Sequence, residues 1–182
     1  MIEVEKRFHP TEEQTKIMLQ GAEFLGESVN HDIYYDYPDV RFLKKDIRLR
    51  NRNGSFELKI GKGSSAAEEI DDKKEIEKYF SMDKNLEDFI KENMIVVMEY
   101  SNNRKSYTKE GFNIVLDEMS FDYSMCEIEL MVTNEGEIEQ AKEKILDFAK
   151  KFGLETKKTF GKCQAYLNKF KPEIYKQVYG DK

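Results

Sequence analysis

A predicted β-hairpin in the first third of the chain carries its charged side chains on only one face. Asn53-Gly54 is a strong signal for a two-residue turn, and it lies within an alternating run at residues 46–60. The register of such a turn pairs Arg52 with Ser55, Arg50 with Glu57 and Arg48 with Lys59. Directly paired residues share a face, so the apolar side chains lie together on the other face. We therefore expect a sheet with one charged face and one apolar face.

Other segments separate charged from apolar residues in the same way. The charged positions are Glu3, Glu5 and Arg7 near the start of the chain, and Glu127 and Glu129 further on. A second two-residue turn at Glu110-Gly111 would place Arg104 opposite Asp117. A sheet with one solvated face would also alternate, but such faces usually mix residue types. Here like charges stand two residues apart and repel each other, which indicates a ligand or partner of opposite charge.

The two kinds of charge predict two kinds of ligand in one shared cavity. Paired carboxylates suit divalent cations, and arginines suit a polyanion. The candidate lining is close to neutral, and it would stay so with a triphosphate of charge about −4 and two divalent cations. This combination is typical of sites for phosphoryl transfer.

The rest of the pattern predicts an α+β fold. A capping box at Thr11 and Gln14 predicts a helix that ends at Gly26, and a Tyr-rich strand follows at residues 33–37. A small-residue loop is expected at residues 61–67. Residues 67–80 are predicted to form a strand and then a helix. Further strands are predicted from Met94, at 114–119 and at 126–132, and further helices after Asp83, at 138–152 and at 159–179 with a break at Pro172.

Composition limits the class of protein. The 182 residues predict one domain over residues 1–182, and a net charge of −6 argues against a nucleic-acid binder. No apolar run approaches the ~20 residues that cross a bilayer, so no membrane partner is expected. Cys126 and Cys163 form neither a zinc pattern nor a disulfide framework, which predicts a cytoplasmic protein.

Several motifs in this order resemble the CYTH, or triphosphate tunnel metalloenzyme, superfamily, and most of all its thiamine triphosphatase-like branch. They are Glu3-Val4-Glu5-Lys6-Arg7, Tyr34-Tyr35-Asp36, Leu49-Arg50-Asn51-Arg52, Glu57-Leu58-Lys59, Arg104, Val115-Leu116-Asp117, Glu127-Ile128-Glu129 and Lys162. The resemblance implies a closed eight-stranded antiparallel β-barrel, a triphosphate tunnel, with helices packed outside. It implies metal-dependent hydrolysis of inorganic triphosphate, thiamine triphosphate or another organic triphosphate, with release of phosphate.

The resemblance also assigns roles to residues. Phosphate binding falls to Arg50, Arg52, Lys59, Arg104 and Lys162, and binding of Mg²⁺ or Mn²⁺ to Glu3, Glu5, Asp117, Glu127 and Glu129, with Glu69 as a further candidate. Tyr34 and Arg7 are the candidate catalytic residues.

One departure from the family pattern affects the expected chemistry. Arg7 stands where the family usually has lysine, and arginine cannot release its proton. We therefore expect hydrolysis that is weaker or shifted relative to lysine-bearing relatives, with water activated by Tyr34, a carboxylate or the metal. Two alternatives stay open: an adenylate cyclase that forms cyclic AMP from ATP, and a non-catalytic module that binds polyphosphate or a nucleotide.

Overall fold

Eight strands pair into one antiparallel ring. The computed structural model describes residues 1–62, 65–155 and 159–180. The strands are β1 (Ile2–Phe8), β2 (Glu23–Asp36), β3 (Ile47–Arg52), β4 (Ser55–Gly61), β5 (Ala66–Ile70), β6 (Ile95–Lys109), β7 (Phe112–Met119) and β8 (Tyr123–Val132). Their order is β1-β5-β4-β3-β2-β6-β7-β8, and the ring closes because β1 pairs with both β5 and β8. An α+β fold with eight antiparallel strands in a ring is thereby confirmed.

The predicted hairpin registers are confirmed. Arg50 pairs with Glu57, and the neighbouring pairs of β3 and β4 follow as the turn requires. Arg104 of β6 pairs with Asp117 of β7. Both turns use residues with positive φ, with Asn53 at 50° and Glu110 at 52°, each followed by a glycine. Such turns match the natural twist of the strands, which explains why the two registers could be predicted from short motifs.

The helices pack on the outside of the ring. They are α1 (Glu12–Met18), α2 (Arg41–Lys44), α3 (Lys73–Tyr79), α4 (Leu86–Asn93), α5 (Ile138–Lys150), α6 (Lys162–Phe170) and α7 (Pro172–Tyr179). Ile145 and Phe148 of α5 pack against Ile128 of β8, while α3 and α4 cover the apolar face of the β3–β4 hairpin at Leu49 and Leu58. None of the helices in the described ranges is long and apolar enough to cross a membrane.

The predicted first helix is too long. The capping box at Thr11 and Gln14 is present, but α1 ends at Met18 and β2 begins at Glu23, well before residue 33. Phe24 is on this strand, and its side chain is more than half exposed. Pairing with β6 runs along nearly the whole of β2, so backbone hydrogen bonds between strands override the helical spacing. The loop predicted at residues 61–67 is also shorter, since β5 begins at Ala66, and residues 63–64 lie outside the described ranges.

Candidate functional site

The charged faces of the strands meet in a cavity of about 360 Å³ inside the ring. We call this space the central cavity. Its charged and polar lining consists of Glu3, Glu5, Arg7, Tyr34, Asp46, Arg48, Arg50, Arg52, Lys59, Ser65, Glu69, Arg104, Glu127, Glu129, Lys162, Cys163, Gln164 and Tyr179. Every site residue predicted from the sequence lines it except Asp117, which is buried behind Arg104 and Lys162. The structure therefore brings all the predicted residues but Asp117 together around one cavity.

Three carboxylates form what we call the acidic group: Glu3, Glu5 and Glu129. One oxygen from each lies within 4.8 Å of the others, because Glu5 of β1 is directly paired with Glu129 of β8. Burial, together with the neighbouring Glu69 and Glu5, raises the pKa of Glu3 to about 7, although Lys59 opposes the shift. Burial and the charges of Glu3 and Glu127 likewise raise the pKa of Glu129 well above its ordinary value. Glu5 differs: burial and the charge of Glu127 would raise its pKa, but Lys59 and Arg7 lower it. With all three carboxylates ionised, the acidic group therefore has more negative charge than its surroundings neutralise.

Two other carboxylates, Asp117 and Glu127, form what we call the bridged pair. Lys162 Nζ lies 2.7 Å from Asp117 Oδ2 and 2.7 Å from Glu127 Oε2, and so joins them. Arg104 donates to both Asp117 oxygens at 2.9 and 2.8 Å, and Arg7 Nε donates to Glu127 Oε1 at 3.3 Å. Burial alone would raise the pKa of Glu127, but Lys162, Arg7 and Arg104 hold it well below its ordinary value. The structure does not place the bridged pair within the acidic group.

Lys162 reaches the cavity from the first turn of α6. Nothing in the local sequence predicts that this ammonium is buried, because a lysine in such a segment is usually solvated. Only the family resemblance could predict it. The preceding Gly161 allows α6 to approach β1 closely, because a Cβ atom there would lie 3.1 Å from Arg7 Cζ. The glycine thus lets Lys162 and Arg7 lie side by side.

The arginines of the β3–β4 hairpin are held by acids on neighbouring strands. Arg52 forms two hydrogen bonds with Asp32, at 2.7 and 2.8 Å, and Arg50 Nε donates to Glu57 at 2.8 Å. Asp32 was not predicted. It lies in the part of β2 that the sequence did not show as a strand, directly opposite Arg52. A strand prediction over the full length of β2 would have revealed Asp32, because residues 32 and 34 lie two apart on the strand and therefore face the same, inward side.

Asn102 is a second buried polar residue that the sequence analysis missed. Its Nδ2 donates to Asp117 Oδ1 at 2.6 Å, beside the bond from Arg104. Asparagine is uncommon in strands, and nothing in the local sequence separates this one from the adjacent Asn103 except its alternation with Arg104. The side chain helps to fix the orientation of Asp117.

Tyr34 is a buried member of the cavity wall. Its hydroxyl accepts hydrogen bonds from Arg50 Nη1 at 3.2 Å and from Tyr100 Oη at 3.1 Å. Burial raises its pKa, with the nearby Cys163 adding to the shift and Arg50 opposing it, so the phenol holds its proton at neutral pH. Arg7 also stays charged, because Glu5 and Glu127 offset its burial and raise its pKa. Neither predicted catalytic residue is therefore a ready base in this arrangement.

The acidic group has the chemistry of a site for a hard divalent cation. Its donors are all carboxylate oxygens, which suit Mg²⁺ and Mn²⁺ and lack the nitrogen or sulfur that softer metals prefer. The cations around it can bind phosphate oxygens through charge-assisted hydrogen bonds. The cavity as a whole can therefore hold an anion that itself binds metal.

This fold and this charged interior define a class of protein that comparison with known families identifies. The family model of the CYTH domain matches residues 1–163. The chain belongs to the CYTH family, as its motifs predicted.

Solved structures show the same fold. A protein from Pyrococcus horikoshii OT3 is 26% identical, with a TM-score of 0.68 over 92% of this chain and 99% of that chain. A proposed adenylate cyclase from Vibrio parahaemolyticus is 16% identical, with a TM-score of 0.64 over 92% of this chain and 98% of that chain. A proposed adenylyl cyclase from Hippeastrum, described as having a dominant triphosphatase activity, is 17% identical, with a TM-score of 0.54 over 96% and 94%. No curated protein matches the chain significantly.

Proposed function

We propose that this chain binds a triphosphate together with a divalent cation in the central cavity and hydrolyses it, releasing phosphate. The substrate class is inorganic triphosphate, thiamine triphosphate or another organic triphosphate. The observation that carries the proposal is the convergence of cations and carboxylates from separate strands and from α6 on one cavity. The Hippeastrum protein, a relative in fold, is described as a triphosphatase, which supports hydrolysis as the reaction.

The cations of the cavity would bind the phosphate oxygens. Arg50, Arg52, Arg104 and Lys162 each keep an acidic partner, so their side chains are fixed before the anion arrives. Donors that are fixed in advance need no reorganisation as charge develops on the phosphate oxygens. Glu57, Asp32 and Asp117 would then act as positioning residues.

Glu3, Glu5 and Glu129 would hold Mg²⁺ or Mn²⁺. A bound divalent cation supplies charge neutralisation at phosphate oxygens and lowers the pKa of a coordinated water. Arg7 reaches between the acidic group and the bridged pair, so its guanidinium can bind the terminal phosphate with two parallel hydrogen bonds. In this proposal Arg7 stabilises charge and does not accept a proton.

A second candidate function is binding without turnover. Arg7 and Tyr34 both hold their protons in this structure, so neither of the two predicted catalytic residues is a ready base. A module that senses polyphosphate or a nucleotide would need the cations of the cavity and no base. The two functions differ in turnover and share the same binding residues.

A substrate panel tests the proposal. The purified chain is incubated with inorganic triphosphate, thiamine triphosphate or ATP, with Mg²⁺ or Mn²⁺, and phosphate, diphosphate and cyclic AMP are measured. We expect phosphate release that needs the metal. Arg104→Gln should lower kcat/KM by about 30-fold or more, since loss of a buried charged partner costs ~2 to 5 kcal/mol. Lys105→Gln is the matched control, because Lys105 is the next residue of β6 and faces outward.

The panel also separates the alternatives. Tight binding of a triphosphate with no product would favour the binding module. Cyclic AMP from ATP would favour a cyclase and contradict hydrolysis. An equal loss in Arg104→Gln and Lys105→Gln would show that the central cavity is not where the substrate binds.

A further inference from the structure

Lys59 makes contacts that a metal ion in the acidic group would also need. Its Nζ lies 2.5 Å from Glu3 Oε1, 3.2 Å from Glu5 Oε2 and 3.0 Å from Glu69 Oε1. Glu3 and Glu5 are two of the three members of the acidic group. The ammonium therefore already acts as a counter-ion to two of the three carboxylates that a divalent cation would bind.

The oxygens of Glu5 show the conflict most clearly. Oε2 accepts from Lys59, and Oε1 accepts from Arg7. Both oxygens are engaged, so a cation can bind Glu5 only by sharing an oxygen with a positive side chain or by replacing that side chain. An ammonium and a divalent cation on the same carboxylate repel each other strongly in a buried site.

Lys59 is better able to move than Arg7. Arg7 also contacts Glu127 of the bridged pair, outside the acidic group, and its planar guanidinium is fixed by that second contact. Lys59 has a flexible four-carbon stem and three rotatable donors. It also keeps one partner outside the acidic group, because Glu69 lies directly opposite it in the pairing of β4 with β5.

We propose that Lys59 is the counter-ion of Glu3 and Glu5 in the metal-free protein, and that a divalent cation displaces it from them and onto a phosphate of the substrate. Binding of cation and of triphosphate would then be coupled through one side chain, and the coupling is reciprocal. This inference rests on the proposed function, since it takes the central cavity as the site of both ligands.

The first experiment measures Mn²⁺ binding without any phosphate present. Free Mn²⁺ is followed by electron paramagnetic resonance during titration of the wild type, Lys59→Met and Arg48→Met. We expect Lys59→Met to bind Mn²⁺ at least tenfold more tightly than the wild type. Arg48→Met is the matched control, because Arg48 is paired with Lys59 across the hairpin and lines the same cavity, but its acidic contact is Asp46. Its Mn²⁺ affinity should stay within threefold of the wild type.

A second measurement observes Lys59 itself in the wild-type protein, with its charge retained. In protein labelled with ¹⁵N-lysine, the ammonium signal of Lys59 is assigned by its absence in Lys59→Arg. Saturating Mg²⁺ without triphosphate should shift that signal. A signal that does not move, or a Lys59→Met affinity within threefold of the wild type, would overturn the proposal, as would an equal gain in Arg48→Met.

The outcomes separate this inference from the proposed function. Tighter Mn²⁺ binding by Lys59→Met in a chain that neither binds nor hydrolyses any triphosphate would support the counter-ion role and contradict the proposed function. Phosphate release by the wild type, together with unchanged Mn²⁺ affinity in Lys59→Met, would contradict only the inference.

Discussion

The acidic group and the bridged pair are both made of buried carboxylates on neighbouring strands, yet their electrostatic states are opposite. Glu127 and Glu129 are two residues apart on β8 and both face inward. Glu127 contacts three cationic side chains, and its pKa lies well below the ordinary value. Glu129 faces Glu3 and Glu5, and its pKa lies well above it. The same strand thus presents a neutralised carboxylate, Glu127, and two residues further on a carboxylate that lacks a sufficient counter-ion, Glu129.

The difference indicates a division of labour between the two groups. A carboxylate that is fully paired orients the cations around it, whereas a cluster with excess negative charge attracts a further cation. We therefore expect the bridged pair to position the phosphate-binding side chains and the acidic group to bind the metal. The predicted metal roles of Asp117 and Glu127 remain predictions, and the variants below separate them from those of the acidic group.

The largest expected effect is on stability. Glu127→Gln removes the charge that Arg7, Arg104 and Lys162 share, and breaking a buried ion pair costs ~3 to 5 kcal/mol. Glu129→Gln relieves repulsion in the acidic group and should change the free energy of unfolding by less than about 1 kcal/mol, or raise it. Both values come from urea denaturation with the metal removed by a chelator. Equal losses of unfolding free energy in the two variants would contradict the different roles of the bridged pair and the acidic group.

Metal affinity gives the next effect in size. Glu129→Gln should weaken Mn²⁺ binding by about 10- to 100-fold, because one of the three carboxylates is lost. Asp117→Asn should leave Mn²⁺ affinity within about threefold of the wild type, since the metal is expected at the acidic group. Titration followed by electron paramagnetic resonance measures both. A larger loss of Mn²⁺ affinity in Asp117→Asn would show that Asp117 is also a metal ligand and that the acidic group and the bridged pair form one metal site.

The contrast between the two groups shows what the sequence could and could not predict. The motifs Glu3-Val4-Glu5 and Glu127-Ile128-Glu129 look alike, and alternation correctly predicted that their carboxylates face one side. Nothing local separates Glu127 from Glu129. The difference comes from the three cations that contact Glu127, above all Lys162, which α6 carries back to β8 from a distant part of the chain. Long-range placement of cations therefore divides residues that a local pattern treats as equals.

The fold could be predicted where local chemistry fixed it. The turns at Asn53-Gly54 and Glu110-Gly111 determine strand register within a few residues, and both registers are confirmed. The first half of β2 could not be predicted, because its strand conformation depends on pairing with the distant β6. Asp32, the partner of Arg52, was missed for the same reason.

A third prediction concerns Arg7, which joins the two groups by contacting Glu5 and Glu127. Arg7→Lys should raise the turnover of inorganic triphosphate by about tenfold, since lysine can release a proton and arginine cannot. The gain is smaller than the roughly 100- to 10,000-fold typical of a general base, because the two glutamates favour the protonated form of a lysine there. Steady-state phosphate release measures it. Lys6→Arg is the control on the outward-facing position, and unchanged turnover in Arg7→Lys would contradict the prediction.

The last prediction concerns the pH dependence of the metal-free protein. Folding raises the pKa of Glu3 from 4.5 to about 7, so the folded chain binds a proton more tightly than the unfolded chain. Stability from this group is fully present below pH 4.5 and is lost as the pH rises through 7. Glu127 has the opposite effect on the pH dependence of stability. Because its pKa is lowered by folding, the stability that it contributes is lost only as the pH falls below 4.5. Urea denaturation between about pH 5 and pH 8 therefore responds to the acidic group and not to Glu127. Glu3→Gln and saturating Mg²⁺ should each flatten the slope, and a stability that instead rises with pH in this window would show that the acidic group is neutralised without a metal.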